Sequence, residues 1–339
     1  MTQAAALLKR LTPQLVALAV ILLLIWLVFP AFFTLTVQNG RLYGSLIDVM
    51  NRGAPVALLA VGMTVVIATR GIDLSVGAVM AICGAVAAAS SVRGDPLVFT
   101  LALALGTGLA CGLWNGFLVS VLNIQPIIAT LVLMVAGRGI AQLITEGAIL
   151  TFNDPNLIFI GSGSFLGLPM PVVIWIVFGI AVAVLVRRSA LGLLIEATGI
   201  NRRASTLSGV QAGVLLMAAY MLSGLCAAMA GLIVTADIKG ADANNAGLWL
   251  ELDAILAVVV GGTSLLGGRF SIIASLFGAM IIQAVNTGIL LSGFPPEFNL
   301  IIKAAIVVVI LVIQSPKVSV AMGFFARKPS SAEKSQASR

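Results

Sequence analysis

The sequence contains no histidine, and only 9% of its 339 residues are charged. The missing histidine removes the zinc-protease helix, Ser–His dyads and His proton relays together. Cysteine is scarce too: Cys83, Cys111 and Cys226 each sit inside an apolar run, with no CxxC pair. They read as small packing residues, neither a disulfide framework nor a metal site. No GxxxxGK[ST] loop occurs, so the chain cannot hold ATP by that means. Acids number 12 against 19 Lys and Arg, for a net charge of +7. No nucleic-acid motif accompanies that excess, and no nucleic-acid partner is expected.

What remains is apolar. Hydrophobic residues make up 60% of the chain and the mean hydropathy is +1.15. A soluble domain has about 25% charged residues. Apolar runs near twenty residues long match the thickness of a bilayer, so the expected fold is all-α, a polytopic integral membrane protein surrounded by lipid. Ten spans are expected, at residues 13–33, 53–69, 74–92, 97–122, 126–145, 168–186, 212–235, 254–268, 271–292 and 298–315. Residues 1–315 then form the membrane domain. Residues 316–339, basic and serine-rich at the end, are expected to be a disordered cytoplasmic tail.

One stretch fixes the orientation. Residues 187–210 carry Arg187, Arg188, Arg202 and Arg203 with the single acid Glu196, between two long apolar runs. Basic residues at span ends mark the cytoplasmic side. Placing this loop inside forces both termini inside, and 13 Lys and Arg then fall on that face against 4 outside. Loops 34–52, 146–167 and 236–253 are left outside and hold most of the acids. Within the arginine-flanked loop, Leu191, Leu194, Ile195 and Thr198 share one helical face, and Gly199 and Asn201 end that helix. A short surface helix offering a mixed apolar and charged face to a soluble partner is the functional reading. An ordinary solvated connector is the plain one.

Inside the spans, Gly108, Gly112 and Gly116 recur every four residues, a ridge for close helix packing. Uncharged polar groups there include Asn115, Thr130, Gln142, Gln283, Asn286 and Thr287. Each alone reads as interhelical glue. As a set they suit a path for a hydroxyl-rich neutral solute, because sugars need amide and hydroxyl partners in place of a counter-charge. Arg138 is the one charge well within a span and so a functional candidate. Lys303, near a span end, can snorkel. In Gly71–Gly77, Asp73 and Ser75 either cap the following helix or mark a break lining the path.

Four motifs in order carry a resemblance: GIDLSVG at 71–77, PIIATL at 126–131, EATGIN at 196–201 and VGGTSLLGG at 260–268. The chain from Pro13 to Ser315 resembles the permease subunits of ribose/xylose-type bacterial sugar ABC importers. Residues 241–253 and 286–297 are similar to one of the two permeases of the galactofuranose importer. The resemblance implies a type II-like ABC importer permease in the inner membrane, with both termini cytoplasmic. Two permeases would form the pore, a heterodimer in preference to a homodimer. A periplasmic sugar-binding protein would deliver a monosaccharide, and a cytoplasmic ABC ATPase would hold ATP and Mg, leaving this chain without cofactor or catalytic residue. Leu191, Leu194, Ile195, Glu196, Ala197, Gly199, Asn201, Arg202 and Arg203 would form the helix coupled to that ATPase. Glu-Ala-Thr-Gly departs there from the older importer consensus. Asp73, Ser75, Asn115, Thr130, Arg138, Gln142, Gln283 and Asn286 are the candidate substrate path. An ion-coupled secondary sugar carrier is the alternative, although no acid sits near the middle of a run.

Overall fold

A computed structural model describes residues 3–28, 36–38, 41–293, 295, 298 and 300–305. The helices are α1 (Gln3–Val28), α2 (Ser45–Arg52), α3 (Ala54–Ala68), α4 (Val76–Val92), α5 (Leu97–Ser120), α6 (Pro126–Ile144), α7 (Pro155–Ser162), α8 (Met170–Arg188), α9 (Leu191–Ile200), α10 (Arg202–Leu207), α11 (Ala212–Ile238), α12 (Leu250–Val260) and α13 (Ile272–Leu291). Short strands decorate the loops: β1 (Thr36–Gln38), β2 (Arg41–Tyr43), β3 (Leu150–Thr151), β4 (Ser164–Phe165), β5 (Leu168–Pro169) and β6 (Gly240–Ala241). The described residues divide into two units, one up to Gly288 and a second that begins at Ile289.

The helical membrane class holds, but among the described residues the span count does not reach the ten expected. Five helices, α5, α6, α8, α11 and α13, are long and apolar enough to cross. The α2–α3 pair, bent by 45° at its break, makes a sixth only if it is counted as one span. Runs 74–92 and 254–268 differ from expectation. α4 has 17 residues and α12 only 11, about 26 and 17 Å at 1.5 Å per residue, against a hydrocarbon core of about 30 Å. Apolar composition does not report the depth at which a helix starts, so both read as full crossings in sequence. Most of the expected last span and the whole 316–339 tail lie outside the described residues.

α3 is the axis. All fifteen of its residues are buried, as an all-round apolar helix requires, and α11, α12 and α8 pack around it. The glycine ridge works as its spacing predicts. A Cβ on Gly108 would strike Gly224 O and Ala228, one on Gly112 would strike Tyr220 O, and one on Gly116 would lie 2.9 Å from Met217 Cα. α5 and α11 therefore touch backbone to backbone.

The loops sort onto two ends. At one, β3 pairs with β6 through Leu150↔Ala241 and Thr151↔Gly240, Leu42 N donates to Gly167 O at 2.9 Å, and Arg93 pairs with Asp95 at 3.0 Å. Ser90, then Arg93, hydrogen-bond the Asp95 carboxyl and hold it below the ordinary carboxylate range. At the other, Arg202 Nη2 donates to Ser120 O at 3.1 Å and Gly268 N to Ala68 O at 2.9 Å.

Candidate functional site

α3 stops through a Schellman turn. Arg70 N donates to Ile67 O at 2.9 Å and Gly71 N to Val66 O at 3.0 Å, with Arg70 left-handed at φ 65°. Glycine usually fills that position. Here the side chain offsets the strain, because Arg70 Nε donates to Leu266 O at 2.7 Å.

The chain then turns back into the bundle, and Asp73, Ser75, Asn115 and Thr130 meet there. Asp73 Oδ1 accepts from Ser75 N (3.0 Å) and Ser75 Oγ (2.6 Å), and Oδ2 accepts from Ser223 Oγ (2.7 Å). Asn115 Nδ2 donates to Ser75 Oγ at 2.8 Å. Thr130 Oγ1 accepts from Leu74 N at 3.2 Å and donates to the Pro126 carbonyl at 2.9 Å. All four side chains are buried. Asp73 thus forms an Asx turn just ahead of α4, whose N-cap is Ser75 and has no side-chain cap hydrogen bond. Ser223 lies eleven residues into α11, about 16 Å from its start, so α4 begins partway along its neighbour. The Oδ1 of Asn115 and the hydroxyl of Tyr220 are buried without a partner among the described residues.

Arg138 and Gln142 form a second group, on α6. Arg138 Nη1 donates to the carbonyls of Ala243 (2.9 Å) and Ala246 (2.6 Å). Gln142 Nε2 donates to Asn244 Oδ1 at 2.7 Å. The loop they hold, residues 242–249, runs into the bundle until Gly247 meets Gly77 in the first turn of α4. A Cβ on either glycine would strike the other's carbonyl oxygen, and one on Gly77 would lie 2.6 Å from Glu251 Oε2. At the loop's start the Asp242 carboxyl is held below the ordinary range, first by the Asn245 side-chain N–H. No spacing rule pointed to this meeting, since thirteen-residue loop motifs carry no depth.

Gln283 and Asn286 lie elsewhere, on α13. A Cβ on Gly53 at the α2–α3 bend would lie 3.3 Å from Gln283 Cβ, and Asn286 Oδ1 is buried without a partner among the described residues. The eight candidate path residues thus fall into three groups.

The arginine-flanked loop is two helices, and the expected face of the first divides, with Ile195 and Thr198 turned inward and Leu191 outward. Ile195, Thr198 and Gly199 are buried, and a Cβ on Gly199 would strike Ala68 O. Leu194, Glu196 and Ala197 are partly covered and Leu191 is exposed. Asn201 Oδ1 caps α10, accepting from Ala204 N at 3.0 Å, and Arg202 is tied to Ser120. Leu193 (73% exposed), Ile200 (60%) and Leu207 (83%) face out with Arg203. Leu193 and Ile200, seven apart, share one face of α9, while Leu207 lies on α10 beyond the break at Asn201. Between α8, α9 and residues 270–273 lies a pocket of about 340 Å³, lined by Arg187, Gly192, Leu193 and Glu196.

Long apolar helices around a buried axis, with part-length helices meeting inside, define a multi-pass membrane protein built on broken helices. The chain belongs to the family described as branched-chain amino acid transport system / permease component, whose model matches residues 45–311. It is similar to the galactofuranose transporter permease protein of Escherichia coli (strain K12), 62% identical over 305 residues, 90% of this chain and 89% of the relative. The fructose import permease protein of Bifidobacterium longum (strain NCC 2705) is 43% identical over 286 residues, 83% and 80% of the two chains. The ribose import permease protein of E. coli (strain K12) is 37% identical over 309 residues, 90% and 93%. No solved structure matches the chain.

Proposed function

We propose that this chain is the membrane-spanning permease subunit of an ATP-driven ABC importer that carries a galactofuranose-like monosaccharide from periplasm to cytoplasm. The 62% identity to a galactofuranose transporter permease across nine-tenths of both chains is the observation that carries this reading. The chain sits in the bacterial inner membrane with both termini cytoplasmic and pairs with a second, different permease. A periplasmic binding protein delivers the sugar. ATP and Mg bind the partner ATPase, since this sequence has no phosphate-binding loop.

The α9–α10 pair is the part that engages the ATPase. Its outward strip of Leu193, Ile200 and Leu207 beside Arg203 suits an apolar groove with an acidic rim. The sugar passes the 242–249 loop, where Gln142 and Asn244 form an amide pair whose hydrogen bonds sugar hydroxyls can replace. ATP binding biases the permease between two states by rigid movement of α9 and α10.

Reconstitution tests it. Proteoliposomes holding both permeases and the ATPase, supplied with binding protein, are expected to take up labelled galactofuranose only with ATP. Uptake by this polypeptide alone, driven by an ion gradient, would establish a secondary carrier instead.

A further inference from the structure

We propose that residues 68–77 act as a strut carrying displacement of α9 to the 242–249 loop, with Gly199 and Arg70 as positioning residues at one bearing and Gly77 against Gly247 at the other. The proposal rests on the ATP-driven reading above and goes further, naming the contacts through which the two ends of the bundle are linked.

The first bearing is the carbonyl of Ala68. It accepts Gly268 N at 2.9 Å, and it lies so near Gly199 that any side chain there would collide with it. α9 therefore cannot advance without pressing on the end of α3. Arg70 adds a second fastening through Leu266 O at 2.7 Å. A left-handed arginine is sterically disfavoured, so this side chain occupies a place where glycine would be easier.

The middle is pinned on several sides. The Schellman bonds fix residues 66–71, Thr130 holds Leu74 N from α6, and Asp73 is fastened to Ser75 within the segment and to Ser223 on α11. A segment so tied transmits position and does not absorb it. The second bearing is the mutual contact of Gly77 and Gly247, where backbone meets backbone with no side chain to yield. Beyond it the loop hangs on two bonds from Arg138. The four sequence motifs thus have one physical relation: 71–77 is the strut, and 126–131, 196–201 and 260–268 hold it.

Spatial continuity is not itself coupling, so the test reads the far end. Leu248, exposed beside Gly247, is replaced by cysteine in a Cys111→Ser background. The assembled importer in nanodiscs is labelled with a polar maleimide, with and without a non-hydrolysable ATP analogue. The nucleotide is expected to change the labelling rate by about fivefold or more. Arg70→Gly keeps the left-handed turn and removes only the fastening. It is expected to bring the response to within about twofold of no change, while the ATPase still co-purifies. Gly199→Ala, which forces α9 away from Ala68, is expected to do the same. A response at residue 248 that is absent from the parent importer, or equal in parent and variants, overturns the strut. A parent importer without ATP-dependent uptake overturns the proposed function as well.

Discussion

Ser223 Oγ donates a 2.7 Å hydrogen bond to Asp73 Oδ2, joining residues 150 positions apart in the middle of the bundle. It fastens the broken segment between α3 and α4 to α11. Ser223→Ala is expected to destabilise the protein by about 1 kcal/mol, the usual size of a polar contact between membrane helices. Tyr220, three residues earlier, buries a hydroxyl with no partner among the described residues, so Tyr220→Phe is expected to leave stability unchanged or raise it. Thermal unfolding of the purified variants in detergent checks both; equal losses would contradict the hydrogen-bond assignment.

Gly112 and Gly106 share α5 but not its surroundings. A Cβ at Gly112 meets Tyr220 O and lies 2.7 Å from Met221 Cα, whereas one at Gly106 meets nothing within 4 Å. Gly112→Ala is therefore expected to cost about 1–3 kcal/mol through overpacking. Gly106→Ala is expected to be neutral or stabilising by up to about 1 kcal/mol. Folded yield by size-exclusion chromatography separates them, and the α5–α11 contact is refuted if the two behave alike.

The outward strip of α9 and α10 makes a separable prediction. Leu193→Asp and Ile200→Asp are expected to leave the permease folded and to reduce co-purification of the ATPase at least about tenfold, as loss of an interface anchor does. Ile195→Asp places a charge against the permease's own core, and is expected to lower folded yield instead. Undiminished ATPase capture by the Leu193 and Ile200 variants would move the docking surface elsewhere.

Arg138 donates to two carbonyls of the 242–249 loop. Arg138→Gln is expected to speed hydrogen exchange of residues 243–249 about tenfold or more, as local opening becomes easier, with α11 and α13 unchanged. Slow exchange in that loop despite the substitution would show that other contacts hold it.

At the start of the same loop, Asp242 accepts from Asn245 Nδ2 at 2.8 Å and from the N–H groups of Asn244 and Asn245 at 3.0 and 3.1 Å. These bonds hold its carboxyl below the ordinary range. A pKa depressed on folding means the turn has its full stability above about pH 4, the unfolded value. That stability is lost as pH falls through the lower folded value. Exchange protection of residues 244–246, corrected for intrinsic rates, is expected to be flat from pH 8 to about 5 and to fall only below about 4. Asp242→Asn is expected to flatten that acid limb.

Much of the architecture was legible because lipid imposes a simple rule. Apolar runs bounded by charges located α5, α6, α8, α11 and α13, and the spacing of Gly108, Gly112 and Gly116 announced the face on which α5 meets α11. What composition could not carry was depth. The runs holding α4 and α12 are as apolar as true crossings, yet each helix starts inside the bundle. Which part of α9 is covered was not legible for a related reason: Ile195 and Leu193 are equally apolar, and the approach of Ala68 to Gly199 decides which side is covered. Asp73 and Arg138 stood out as polar groups in apolar surroundings, but their partners, Ser223 and the carbonyls of Ala243 and Ala246, are a hundred or more residues away.

The burial of every residue of α3 has a bearing on biosynthesis. Its neighbours α8, α11 and α12 are made roughly 100 to 200 residues later, about five seconds or more at ordinary elongation rates. Until α8 emerges the nascent helix lacks all three and lies against lipid, and its lack of any charged side chain makes that wait tolerable. A single aspartate placed there would burden the growing chain before it burdened the finished protein, and its effect should be read first in how much polypeptide reaches the membrane.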